Sequence, residues 1–214
     1  MKRNLSFLCL LALLCLASLG GCAQEPFGAY TLDGGTVCRV FGGTTGIRRI
    51  EVTTADGGVQ EFQLKSPDIE PDDAGGVELI DLDFDGHLDL TVKTKQYANG
   101  DVRRACYLWR DGMLVENEVL SSQRSLTADA ETQTLTAWAR YVVEDERESR
   151  TRLTYAWHEG QPVAVRKVEL IHYLAEDEDI YCRIESTAEP GEALAVVDEK
   201  WIFPAQFDES QIWN

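Results

Sequence analysis

The densest chemistry in the chain is Asp81-Leu82-Asp83-Phe84-Asp85-Gly86-His87-Leu88-Asp89. Carboxylates stand at the first, third, fifth and ninth positions, with glycine at the sixth. Acids this close repel one another unless a cation sits among them. Calcium takes six to eight hard oxygens at about 2.3–2.6 Å, and alternate residues of a tight loop can converge on it. The spacing therefore predicts a calcium site. Its expected ligands are the carboxylates of Asp81, Asp83, Asp85 and Asp89 and the backbone carbonyl of His87, whose imidazole stays free. Water completes the shell, and Gly86 permits the bend. Magnesium fits less well, because its strict octahedron suits fewer protein ligands. Leu82, Phe84 and Leu88 alternate with the acids and are expected to face the core. The plain alternative is a solvated acidic turn. Every ligand is an acceptor, and no nucleophile or base is adjacent, so the expected role is structural.

What flanks the loop decides its class. An EF-hand needs a bidentate Glu at the twelfth position and a helix on either side. Here the twelfth position is Val92, and Val77-Glu78-Leu79-Ile80 and Leu90-Thr91-Val92-Lys93 read as strands. The pattern is thus Asp-x-Asp-x-Asp-Gly-x-x-Asp in a β-hairpin, as in FG-GAP repeats.

The loop belongs to a longer run of strand signals. Residues 50–54 and 59–64 flank an Asp56-Gly57 turn. Segments 76–82, 88–97, 102–110 and 113–118 form a four-stranded meander, turned at Asn99-Gly100 and Asp111-Gly112. Residues 121–133 are polar and read as a connection or a helical turn. A second meander covers 134–143, 150–158, 162–174, 180–187 and 193–203. No window has a long 3.6-residue apolar period. The predicted fold class is all-β: antiparallel meanders of about four strands, β-propeller-like or sandwich-like, with little helix. Tyr107-x-Trp109-x-Asp111-Gly112 returns 48 residues later as Tyr155-x-Trp157-x-Glu159-Gly160. That offset is near a propeller blade's length, although two similar hairpins can match by coincidence.

The N-terminus is an address. Lys2 and Arg3 precede an uncharged Leu-rich run from Leu5 to Leu19, too short for a membrane span. Leu19-Gly20-Gly21-Cys22 then resembles a bacterial lipobox. The expectation is a signal peptide over 1–21, acylation of Cys22, a tether over 22–35 and one domain over 36–214. Removing 1–21 takes the formal charge from −17 to −19. Cys9 and Cys15 leave with it. Cys38, Cys106 and Cys182 remain, as at most one disulfide in any of three pairings or as buried free thiols.

Function classes narrow accordingly. With 20 Lys and Arg against 37 acids, the chain offers no basic patch for nucleic acid and none for docking on anionic lipid. Contact with a membrane is expected through the lipid anchor only. There is no Gly-x-Ser-x-Gly, His-Glu-x-x-His or Walker loop. Gly42-Gly43-Thr44-Thr45-Gly46 precedes a strand and reads as a turn. His158 and His172 read as strand residues. The pairs Asp72/Asp73, Glu144/Asp145 and Glu176/Asp177 read as solvated loops. No catalytic residue is assigned.

The aspartate loop, the Tyr107-Leu108-Trp109 strand, residues 114–121 and the Tyr155-Ala156-Trp157 strand, in that order, resemble small bacterial lipoproteins with a single FG-GAP-like calcium loop. Their best-understood members look like periplasmic inhibitors of lysozyme-type peptidoglycan hydrolases, with an irregular β-propeller-like fold. The resemblance covers about half the chain. It implies a calcium-stabilised β scaffold at the cell envelope, with Asp81, Asp83, Asp85, the His87 carbonyl and Asp89 as its ion site. No inhibitory residue carries over, because 141–152 is charged and lacks the glycines such relatives have there. The expected function is a non-enzymatic binding module outside the cytoplasmic membrane, whose partner is an envelope protein, with a basic peptidoglycan hydrolase as one candidate. A glycan-binding or adhesion module is the alternative, and an envelope hydrolase a third.

Overall fold

The structure is a computed structural model that describes residue 26 and residues 28–43, 46–64, 76–142, 148–175 and 178–213. Cys22, the segment 1–21 read as a signal and the three acidic pairs read as solvated loops lie outside these residues. Among the described residues no helix is long and apolar enough to cross a membrane.

The fold is all-β, in three antiparallel sheets, each a meander in chain order. Sheet 1 holds β1 (Gly28–Thr31), β2 (Val37–Gly43), β3 (Gly46–Thr53) and β4 (Val59–Gln63). Sheet 2 holds β5 (Val77–Ile80), β6 (Asp89–Gln96), β7 (Val102–Arg110) and β8 (Met113–Glu116). Sheet 3 holds β9 (Thr127–Asp129), β10 (Thr134–Val142), β11 (Glu148–His158), β12 (Gln161–Ala175), β13 (Glu178–Thr187) and β14 (Ala195–Ile202). Among the described residues helix is confined to two short pieces, α1 (Glu118–Ser121) and α2 (Glu209–Ile212), and two 3₁₀ turns.

Two expectations shift. The segment read as tether is folded from Gly28 onward: β1 pairs with β2, and Leu32 is buried. Its Gly- and Pro-rich composition hid a strand only four residues long. Within 121–133, read as a connection, Thr127–Asp129 forms β9 on the edge of β10.

Sheet 2 lies between the other two and shares a core with each. Strand alternation does this in β7. Ala105, Tyr107 and Trp109 enter a cluster with Cys38, Val40, Ile50 and Val52 of sheet 1. Cys106 and Leu108 enter a second cluster with Leu135, Ala137 and Tyr155 of sheet 3 and Leu120 of α1. Asn117 caps α1, its side chain accepting the Leu120 amide at 3.0 Å. A third cluster of Leu170, Ile202 and Ile212 docks α2 on the far part of sheet 3. The outer face of sheet 1 is an ion-pair ladder in which Arg49 reaches Glu51 and Glu61 at 3.3 and 3.0 Å.

Polar links join the layers. The Gln60 amide on β4 donates to the Leu114 carbonyl at 2.7 Å and accepts the Leu114 amide at 3.1 Å, imitating a strand pair between sheets 1 and 2. The Trp157 indole on β11 donates to the Leu82 carbonyl at 2.9 Å.

The internal echo has a structural counterpart. Tyr107 and Trp109 lie on the third strand of sheet 2 and pack toward sheet 1. Tyr155 and Trp157 lie on the third strand of sheet 3 and pack toward sheet 2. The turns that follow match as well. Asp111 and Gly112 have φ of 49° and 82°, and Glu159 and Gly160 have 50° and 75°. Two consecutive positive φ values mark the type I′ hairpin, whose twist fits antiparallel strands.

The three cysteines are free and buried, one in each sheet. Burial pushes the Cys38 and Cys106 thiols up to about 12.

Candidate metal centre

The aspartate loop joins β5 to β6, and Asp89 is the first residue of β6, paired with Ile80. Two residues make the tight path possible. Gly86 takes a φ of 90°, which costs a Cβ-free residue nothing, and Phe84 takes 60°. Phe84 tolerates this because its ring packs against the core shared by sheets 2 and 3, where Leu82 is fully buried. Leu88, expected to face the core, is instead exposed. Its amide turns toward Asp33 Oδ2 at 3.3 Å, which carries the side chain outward.

Asp81, Asp83 and Asp89 each bring a carboxylate oxygen to one place, with all three atoms within 4.8 Å of one another. Backbone amides fix their orientation. Asp81 Oδ2 accepts from Gly86 at 3.0 Å and Asp83 Oδ1 from Asp85 at 3.3 Å. Asp89 is wholly buried and accepts on both oxygens, from Leu82 and Trp109 at 2.8 Å each. Asp81 Oδ1 is buried with no hydrogen-bond partner. Asp83 Oδ2 meets only the Arg110 guanidinium.

Asp85 takes a different position. It lies outside the converging trio, and its Oδ2 accepts from Arg110 at 3.2 Å, while its Oδ1 accepts the His87 amide at 2.8 Å. The His87 imidazole, expected free, is bonded through Nδ1 to Asp33 Oδ2 at 2.9 Å. Asp33 belongs to the 3₁₀ turn between β1 and β2, so the loop of sheet 2 is latched to sheet 1.

The electrostatics record the crowding. Burial pushes the Asp89 carboxyl up to about 7, against the pull of the two amides, and Asp83 and Asp85 add to the rise. Asp83 is also raised, first by burial, with Arg110 opposing and Asp85 and Asp81 reinforcing. The His87 imidazole is raised chiefly by its bond to Asp33. Buried carboxylates that resist ionisation next to one another, one with an unpartnered oxygen, are relieved by a cation. The donor set is all hard oxygen, which fits calcium, magnesium or manganese better than a thiophilic metal.

Two participants escape a sequence reading. Arg110 ends β7, far along the chain from the loop, and arrives because β7 pairs with β6. The predicted meander places its strand beside β6, but the register that brings its guanidinium to Asp83 and Asp85 comes from the structure. Asp33 lies in the segment read as tether and left no signal at all. His158 is exposed, and His172 pairs with Asp179 at 2.6 Å and stacks on Tyr181.

Comparison with known proteins gives a fold and no family. No protein-family description matches the chain, and no curated protein matches it. Among solved structures the chain is similar to "Structure of a Xanthomonas Type IV Secretion System related protein", at 15% identity and a TM-score of 0.50. The match covers 80% of this chain and 85% of that one. At that identity the likeness extends to the β architecture, across most of both chains.

Proposed function

We propose that the protein is a non-enzymatic, lipid-anchored module outside the cytoplasmic membrane, stabilised by calcium in the 81–89 loop, which binds an envelope protein. The observation that carries the ion is the convergence of Asp81, Asp83 and Asp89 with Asp81 Oδ1 buried and unpartnered. Calcium would be held by these three, with Asp85 and the His87 carbonyl completing the shell, and Cys22 would carry the lipid. The bound ion's contribution is charge neutralisation. The chain's own residues do the rest: the Gly86 and Leu82 amides orient the carboxylates, and Leu82 and Trp157 hold the loop on sheet 3.

The acidity of the chain favours a basic partner, and lysozyme-like hydrolases are often basic, so blocking such an enzyme is the specific reading. A hydrolytic activity of its own finds less support. A carboxyl that acts as general acid must be kept protonated. Among the described residues the carboxyls pushed upward, Asp83 and Asp89, are locked in the loop.

Calorimetric titration and thermal melts with calcium or a chelator test the ion. The expected result is binding and a rise in melting temperature, both lost in Asp83→Ala; no binding and no shift would end this reading. Turbidity clearance by a panel of muramidases tests the partner, and unchanged rates across the panel would remove it. Mass spectrometry of the cell-derived N-terminus is expected to find diacylglycerol on Cys22.

A second reading rests on its own observation. Trp201 is half exposed and packs on Tyr173 at 5.4 Å between ring centroids. Such an aromatic platform suits a glycan. Pull-down on peptidoglycan that is lost in Trp201→Ala would favour it.

A further inference from the structure

A cleft of about 600 Å³ opens between sheets 1 and 2, on the side of the aspartate loop. That size lies within the range of about 300–1,000 Å³ in which proteins hold small ligands and side chains. Three turns each supply it a carboxylate: Asp33 between β1 and β2, Asp56 between β3 and β4, and Asp111 between β7 and β8. No lysine or arginine lines it, and the one basic side chain in its lining, His87, is held by Asp33 at 2.9 Å. This is unusual for the molecule, whose arginines elsewhere meet acids in ladders and clusters.

The three acids retain capacity. Asp33 gives Oδ2 to His87 and Leu88, and Asp56 gives Oδ1 to Thr54 and Gly58, so each keeps a second oxygen. Asp111 has no partner among the described residues. The oxygens of this trio do not gather within 4.8 Å as those of Asp81, Asp83 and Asp89 do. The trio is therefore not a metal cluster of that kind. The other surfaces of the cleft are apolar. Val59 and Met113 stand exposed at the cleft, and the nearly buried Trp109 contributes an aromatic surface. Acids beside aliphatic and aromatic surface match a group with a hydrocarbon stem and a cationic head.

We propose that this cleft receives a lysine or arginine side chain of a protein partner. The inference rests on the binding-module reading for the protein as source, and not on the metal site. The chain's strong negative charge steers a basic partner toward it, and the cleft gives that attraction a seat.

The experiment is a calorimetric titration of the full mature chain with acetylated tri-arginine, tri-lysine and tri-citrulline peptides and with spermidine. The assigned Trp109 indole resonance is followed by NMR. The expected result is that a basic peptide binds at least tenfold tighter than tri-citrulline and shifts that resonance. Asp56→Asn with Asp111→Asn is expected to weaken binding at least tenfold. Glu131→Gln with Glu192→Gln makes the same charge change on exposed turns elsewhere and is expected to leave binding intact. Circular dichroism and melting curves establish that both double variants are folded. Equal weakening by the two double variants would mean diffuse electrostatics and overturn the proposal. Tri-citrulline binding as well as tri-arginine, or spermidine binding tighter than both peptides, would overturn it too. If a hydrolase binds and the Asp56/Asp111 variant binds it equally well, the cleft is not the seat. If no hydrolase binds while the basic peptides bind through Asp56 and Asp111, the cleft stands and the hydrolase reading falls.

Discussion

Arg110 sits where its charge has two opposite effects. It neutralises Asp83 and Asp85, which stabilises the loop on its own, and it repels any cation drawn to the same carboxylates. Arg110→Gln is therefore expected to tighten calcium binding while lowering the melting temperature in chelator. A unit charge at about 4 Å is worth roughly 1–4 kcal/mol between bulk water and a protein surface, so a gain of about tenfold is expected by calorimetry. The thiols offer a separate check at this scale. Cys38, Cys106 and Cys182 are buried, and burial raises all three. They should resist alkylation at pH 8 in the native protein and react rapidly in denaturant, each as a free thiol by mass.

At the scale of elements, sheet 3 carries an ionic cluster across three strands. Glu185 on β13 accepts from Arg166 on β12 at 2.7 Å and from Arg183 at 2.6 Å, and Arg183 also meets Asp198 on β14 at 3.1 Å. The bond from Arg166 is the main cause that lowers the Glu185 carboxyl. A depressed carboxyl stabilises the fold above its unfolded value, near 4.3, and that contribution fades as pH falls through the folded value. Glu185→Gln is expected to lower the melting temperature at pH 7, and the gap to the parent should close as pH drops below 4. Leu82 tests another element, the loop's apolar root. Leu82→Ala should cost about 2–5 kcal/mol in urea denaturation, as emptied core sites do.

The strands were legible where alternation and Asp-Gly turns coincide. Every strand from β3 to β8 and from β10 to β14 stands near where the pattern put it, whereas β2, which ends in Gly42 and Gly43, was not set out as a strand. The pattern failed at β1 and β9, which have four and three residues and pair along an edge. So short a run has too few alternations to register, and its partner supplies the order. The candidate site divides in the same way. Asp81, Asp83 and Asp89 were readable because nearby residues carry the geometry. Arg110 and Asp33 were not, because the register of β7 on β6, with its bulge at Lys93–Lys95, and the packing of sheet 1 on sheet 2 bring them to the loop.

For the whole molecule, the exposed edge is the weak flank. β14 is the outer strand of sheet 3, and seven of its eight residues are exposed, including Val196, Val197 and Trp201. An open apolar edge invites pairing with another chain, and natural sheets blunt such edges with charge. Here Asp198, Glu199 and Lys200 stand on that strand, within a chain of formal charge −17. Replacing Asp198 and Glu199 by Thr should promote self-association, seen as growing light scattering at high protein concentration. High salt should promote it in the parent as well, by screening mutual repulsion.

The double-sided middle sheet also sets a schedule. A ribosome delivers sheet 1 first, and its inner face of Cys38, Val40, Ile50 and Val52 stays uncovered until β6 and β7 emerge. Those strands then present Cys106 and Leu108, which wait in turn for β10 and β11. Each newcomer acts as lid for its predecessor, and α2, behind β14 in the chain, covers the far part of sheet 3 with Ile212. A chain halted anywhere along this route has one greasy side bare, so a chaperone that reads such surfaces has a client at every stage before α2 docks.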